Sequence, residues 1–291
     1  MTRFLFLVLF LIPLRVGCNP FPISIVNGLL ISKATIDGKE VLVIFDTGAP
    51  GLVLNNRFFS PDNKTKIECV GINGSFECRL HQVKNWSWMG ISHKKTKALL
   101  SDLTFLEDEL HQDVYALIGL SAVEDYFVYI DFDQRSISLS DKMNVDKQSV
   151  IRFQYAGHLP VISCTVNGKE KNLGLDTGSE INYLFSPDAP GSDNFYKNAS
   201  PVSIIGTDNH KVMKFALNMD LSVNHAEIYP SPFIVDTEQR NTADEETSFD
   251  GLLGQPFLSQ FNITIHPTKQ IIILSPRQQG ENLPSTLTAQ L

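Results

Sequence analysis

The sequence predicts an all-β protein of two similar lobes, each of about 130 residues. Three observations carry that expectation. β-branched and aromatic residues alternate with polar ones through most of the chain, turn residues (Gly, Asn, Asp) recur between those runs, and the second half repeats the first. The 291 residues are 43% hydrophobic and 19% charged, enough for a sizeable core and a length that suits roughly two domains. A net charge of −8 with no clustered Lys/Arg stripe argues against nucleic acid as a partner.

Taken from the N-terminus, Thr2-Arg3 precede an apolar run from Phe4 to Leu14, shorter than the ~20 residues that span a bilayer and suited to a signal peptide. Residues 1–18 are read as an export signal, so the mature protein is expected to be secreted, periplasmic or lipid-anchored in the cell envelope. Cys18 directly follows Gly17 and resembles the lipidation site of bacterial lipoproteins; Arg15 departs from that pattern, and ordinary cleavage near Cys18 is the alternative. No other stretch is long and apolar enough to cross a membrane, so membrane contact is expected only through that anchor.

The first repeat unit runs Ile36-Asp-Gly-Lys-Glu-Val-Leu-Val-Ile-Phe-Asp46-Thr-Gly-Ala. It aligns without a gap on Val166-Asn-Gly-Lys-Glu-Lys-Asn-Leu-Gly-Leu-Asp176-Thr-Gly-Ser. Each copy reads as a strand, an Asp/Asn-Gly hairpin turn and a second apolar strand running into Asp-Thr-Gly. A later pair matches as well: Ala116-Leu-Ile-Gly119 through Ile130 with Gly251-Leu-Leu-Gly254 through Ile265. A short helical turn is expected after each of these glycines. A final strand follows each, at Ser136 to Leu139 and Ile271 to Leu274. The polar stretch Asp141 to Gln148 reads as a linker between a first lobe over 19–145 and a second over 149–276, with a frayed polar tail over 277–291.

Export permits disulfides, and Cys69 and Cys78 flank Asn73-Gly74, a strong two-residue hairpin signal. Counting outward from that turn puts Cys69 opposite Cys78 at a non-hydrogen-bonded position, close enough for a bridge. Cys164, in an apolar run, is expected to be a small core residue.

Two carboxylates held together at about 3 Å cannot both ionise, so one keeps a proton while the other stays charged, and the pair offers acid and base at once. Metal-free hydrolysis of a peptide bond needs that combination. Glycine after the aspartate lets the backbone turn tightly and present an N–H to the carboxylate, and the threonine hydroxyl can bond the facing loop. One Asp-Thr-Gly is weak evidence; two, each behind an apolar strand and each followed later by apolar-apolar-Gly, are strong evidence.

On these motifs the chain resembles the retropepsin-like and pepsin-like aspartic protease superfamily, and looks similar to its bacterial exported members. The resemblance covers nearly all of the mature chain. It implies two retropepsin-like β-barrel lobes forming a single-chain pseudo-dimer with a cleft between them, a monomer that cleaves peptides or proteins without a cofactor. It implies Asp46 and Asp176 as the catalytic dyad, Thr47 and Thr177 locking the loops, Gly48 and Gly178 lining the site, and Gly119 and Gly254 packing beneath. That family covers its cleft with hairpin flaps, which places them at Ile72, Asn73 and Gly74 in the first half and at Gly206 and Thr207 in the second. Only about ten residues, Asn19 to Gly28, precede the first repeat, too few for the long inhibitory pro-segment of pepsins. The same fold could also serve a non-catalytic peptide-binding or structural envelope protein, and lobes could pair between chains.

Other features weigh less. Trp86 and Trp88 alternate on one strand face and read as core before subsite. The seven histidines show no metal-ligand spacing, so no metal site is expected. Ser121 lacks the glycine that a nucleophile elbow needs two residues later. Asn63, Asn73, Asn85, Asn198 and Asn262 stand in acceptor sequences for N-glycosylation, relevant only in a eukaryotic secretory pathway.

Overall fold

A computed structural model describes residues 20–62, 66–71, 74–143, 150–185, 199–205, 211–223, 228–236 and 249–277. The expected signal with Cys18, most of the linker, the tail after residue 277, and the flap residues Ile72, Asn73, Gly206 and Thr207 lie outside them. The described chain is all-β with a few short helices.

Strands of the first half are β1 (Phe21–Pro22), β2 (Ser24–Val26), β3 (Leu29–Ile36), β4 (Lys39–Phe45), β5 (Leu52–Asn55), β6 (Ile67–Gly71), β7 (Gly74–Trp88), β8 (Ile91–Ser101), β9 (Ala116–Ile118), β10 (Phe127–Asp131) and β11 (Ser136–Ser140). Those of the second are β12 (Ile151–Arg152), β13 (Gln154–Ala156), β14 (Leu159–Val166), β15 (Lys169–Leu175), β16 (Asn182–Phe185), β17 (Ser200–Ile205), β18 (Lys211–Val223), β19 (Ile228–Asp236), β20 (Gly251–Leu253), β21 (Phe261–His266) and β22 (Ile271–Pro276).

Two eight-stranded sheets result, and their strand orders are the same permutation. The first runs β2-β3-β4-β9-β5-β8-β7-β6 and the second β13-β14-β15-β20-β16-β19-β18-β17. In each, an extra pairing (β3 with β7, β14 with β18) closes six strands into a barrel. The turns that the repeat predicts seal this closure. Asp37-Gly38 and Asn167-Gly168 both adopt the left-handed conformations of a type I′ hairpin. Their side chains then accept from the closing strand, Asp37 from the Lys84 and Asn85 N–H groups and Asn167 from that of Asp220.

A third, six-stranded sheet, β1-β11-β10-β21-β22-β12, joins the halves, with β10 and β21 antiparallel at its centre. Val128 lies opposite Ile265 and Ile130 opposite Ile263, and their side chains enter one apolar cluster continuous through both halves. Central strands buried on both faces explain why the sequence before the first aspartate reads as an apolar run: Val43 and Phe45 enter one apolar cluster and Ile44 another, while in the second half Leu173 and Leu175 are buried in turn. Trp86 and Trp88 are core residues, their indole N–H groups donating to Thr96 and Ser32.

Several expectations need correction. The hairpin between β6 and β7 pairs Gly71 with Gly74, not with Phe76 as a turn centred on Asn73-Gly74 requires. Cys69 then faces Phe76, and Cys78 faces Ile67. A slip of two residues keeps every side chain on its own face, so the alternation of the sequence cannot distinguish the two registers. The cysteines become diagonal neighbours and are free thiols; burial, then the nearby Cys69, pushes Cys78 up to about 12. Arg277 is not frayed: it donates to Asp133 at 2.8 Å and to the Ser259 carbonyl. Asn262 is no surface acceptor but a buried tie, accepting the Phe132 N–H and donating to Asp133. The helix α1 (Thr104–Leu110) was not anticipated; Asp102 accepts from its Thr104 N–H, and Leu106 and Leu110 pack on Leu29, Ile31 and Val53. The helical turns after the glycines do form, as a 3-10 turn over Leu120–Val123 and the helix α2 over Gln255–Leu258.

Candidate active site

Asp46 and Asp176 each stand one residue beyond the strand that delivers them, β4 and β15. Their backbone N–H groups continue the parallel pairing, to Ile118 O and Leu253 O. Each aspartate then folds its chain back: Asp46 Oδ1 accepts the Gly48 N–H at 2.8 Å, and Asp176 Oδ1 accepts that of Gly178 at 2.9 Å. The sequence separates the two carboxyl groups by 130 residues, and the fold brings them into hydrogen-bond contact.

The threonines make the joint. Thr47 Oγ1 donates to Leu175 O at 2.6 Å and accepts the Thr177 N–H at 3.0 Å. Reciprocally, Thr177 Oγ1 donates to Phe45 O at 3.1 Å and accepts the Thr47 N–H at 3.0 Å. Two buried backbone groups of each loop, four in all, are thus paired with the threonine hydroxyl of the other loop.

The glycines leave the space. A Cβ on Gly48 would lie 2.7 Å from the Asp176 carboxyl carbon, and one on Gly178 would collide with the Asp46 carboxyl. Each carboxylate therefore rests on the bare backbone of the opposite loop. One layer below, a Cβ on Gly119 would strike the Ala49 carbonyl, and one on Gly254 the Ile181 carbonyl. The fold brings all eight of these motif residues together where the two halves meet.

Burial raises the pKa of both aspartates. Asp176 is held well above the usual carboxylate range, by burial first and then by the charge of Asp46. Asp46 rises less, because the hydrogen bond from Asp176, the Gly48 N–H and His158 favour its charged form. Two carboxyl groups in direct contact do not both ionise readily, so the pair titrates as a unit.

Sequence reasoning missed several neighbours. Gln255, buried in α2, donates from Nε2 to Thr177 O at 2.8 Å. Buried Asn182 accepts the Gly254 N–H and donates to Pro232 O. At one end of the dyad, Glu180 hydrogen-bonds Glu109 of α1, which also accepts from Asn27 at 2.8 Å. At the other end opens a cleft of about 270 Å³, lined by Ala49, Pro50, Gly51 and Ser121 of the first half and Tyr155 and His158 of the second. Continuing the ungapped alignment backward sets Asn27-Gly28 against Gly157-His158, the signal by which these hairpin tips could have been found. Of the flap candidates only Gly74 is described, as the first residue of β7. Among the described residues no group of His, Cys, Asp and Glu is placed to hold a metal.

No family model and no curated protein matches this sequence.

Proposed function

We propose that the protein is an aspartic endopeptidase, a single-chain pseudo-dimer whose two lobes are the two sheet-barrel halves and whose substrate is a peptide or unfolded protein bound across the dyad. The observation that carries the reading is the pair of mutually hydrogen-bonded carboxyl groups, one from each half, with Asp46 buried and Asp176 half-buried between the two loops. A structural role offers no reason to bury two facing carboxylates.

In this reading a water lies between the aspartates and the scissile carbonyl. Its oxygen attacks the carbonyl carbon as one of its protons passes to ionised Asp46, while Asp176 gives its proton to the carbonyl oxygen. The resulting gem-diol collapses as Asp46 returns its proton to the departing nitrogen and Asp176 recovers one from a hydroxyl, which restores the starting state. The need for one shared proton favours acidic conditions. We further read residues 1–18 as an export signal, placing the enzyme outside the cytoplasm.

The deciding experiment is cleavage of an unfolded protein mixture between pH 3 and 7 by the mature chain beside its Asp46→Asn and Asp176→Asn variants. Each substitution removes one acid–base partner and should lower kcat by about 10²–10⁴-fold without unfolding the protein. A folded but inert wild type would favour the peptide-binding reading instead. Activity confined to a dimer in sedimentation would show that lobes pair between chains.

A further inference from the structure

We propose that Gln255 is the positioning residue of Asp176: its side-chain amide holds the Thr177–Gly178 peptide in the orientation that aims the Gly178 N–H at the carboxylate. The inference rests on the dyad reading above and deepens it.

The chain of bonds is short. Gln255 Nε2 donates to Thr177 O at 2.8 Å, and the N–H at the other end of that same peptide, that of Gly178, donates to Asp176 Oδ1 at 2.9 Å. A peptide unit is planar, so fixing its carbonyl fixes the direction of its N–H. Hydrogen bonds in such a series also polarise one another, which strengthens the last of them. The backbone N–H of Gln255 takes a second carbonyl of the same loop, Ser179 O, at 2.8 Å. One residue of α2 thus fastens the second aspartate loop at two points.

The other half locks this side chain in place. Gln255 is buried, and the tip of the β2–β3 hairpin closes over its stem: a Cβ on Gly28 would lie 2.7 Å from Gln255 Cγ and 2.8 Å from its Cβ. Only glycine lets a backbone come that near. Docking of the first half therefore sets the rotamer that sets the Asp176 loop.

The duplication supplies the comparison. Gly254 answers to Gly119, so the counterpart of Gln255 is Leu120, buried as well but with no side-chain donor to offer Thr47 O. Glutamine is the costlier choice. Its Oε1 is buried without a partner among the described residues, a cost that leucine would not carry. The bond from Nε2 accounts for an amide here, and packing alone does not. An N–H held on Oδ1 also keeps that oxygen an acceptor, so a proton carried by Asp176 sits on Oδ2.

The test is amide NMR of the full chain at pH 4, with Gly178 as probe and Gly48 as internal reference, comparing wild type with Gln255→Met and Gln255→Glu. Methionine is of similar size and donates nothing, whereas a buried glutamic acid is neutral at that pH and donates from its hydroxyl. In the methionine variant the Gly178 amide proton should move upfield while that of Gly48 stays, and kcat should fall about 3–10-fold at unchanged KM. The Gln255→Glu variant should match wild type in both. An unmoved Gly178 signal in the folded methionine variant overturns the proposal, as do equal shifts of Gly178 and Gly48 or an equal effect of both substitutions, which would mark packing alone. Should methionine prevent folding, Gln255→Glu decides by itself: carried upward from pH 4 beside wild type, it loses its donor as it ionises, and a Gly178 signal that follows the wild-type course throughout overturns the proposal. The spectra need no turnover, so a wild type that cleaves nothing would sink the protease reading while leaving the hold of Gln255 on the aspartate loop measurable.

Discussion

Thr47 and Thr177 show how few atoms join the two aspartate loops. Removing one hydroxyl leaves a carbonyl and an N–H of the opposite loop buried and unpaired, at about 1–3 kcal/mol for each group. Thr47→Val, nearly the same size, should therefore destabilise the protein by about 2–5 kcal/mol in urea unfolding, and Thr47→Ser should recover most of the loss. At this scale the sequence was informative where chemistry is local. Asp-Thr-Gly encodes its own turn, and its duplication announces a partner. Gln255 and Glu180 were on view beside those motifs, yet nothing local marks them, because Gln255 meets Gly28 and Glu180 meets Glu109 only once the halves dock.

Strand and turn signals were legible to within a few residues wherever a period of two and an Asn-Gly or Asp-Gly turn coincided. The β6–β7 hairpin failed because two registers of the same facing satisfy the same alternation, and the choice between them lies in the turn. Helix α1 escaped for another reason: seven residues give less than two turns of periodicity, and its stability comes from Leu106 and Leu110 packing on distant strands. Asn262 shows what an element can hide. Its side chain bridges β21 to the turn between β10 and β11, so Asn262→Ala should cost about 1–3 kcal/mol, seen as a lowered urea midpoint, although the same residue reads on paper as a glycan acceptor.

For the molecule as a whole, pH sets stability through carboxyl groups that the fold keeps protonated. Burial, then the hydrogen bond and charge of Glu109, push Glu180 up to about 9 from 4.5. Between those values the folded protein retains a proton that the unfolded chain has released, so stability falls as pH rises through the window and is unaffected by this group below it. Asp176, also raised, acts with the same sign. Part of Glu180 faces water, which makes its share of the slope shallow. Urea midpoints measured at pH 5, 7 and 9 should decline in that order, and Glu180→Gln should flatten the decline.

The central pairing of the six-stranded sheet also sets a clock during synthesis. β21 begins 130 residues after β10 ends, an interval of roughly 7–26 s at about 5–20 residues per second. Throughout it, β10 presents the unpaired edge that β21 will later cover, together with Val128 and Ile130. The partner nearest at hand on a crowded message is the same strand of another nascent chain. A fragment ending at residue 143 should accordingly sediment as a dimer joined through β10, and Ile130→Lys should return it to a monomer.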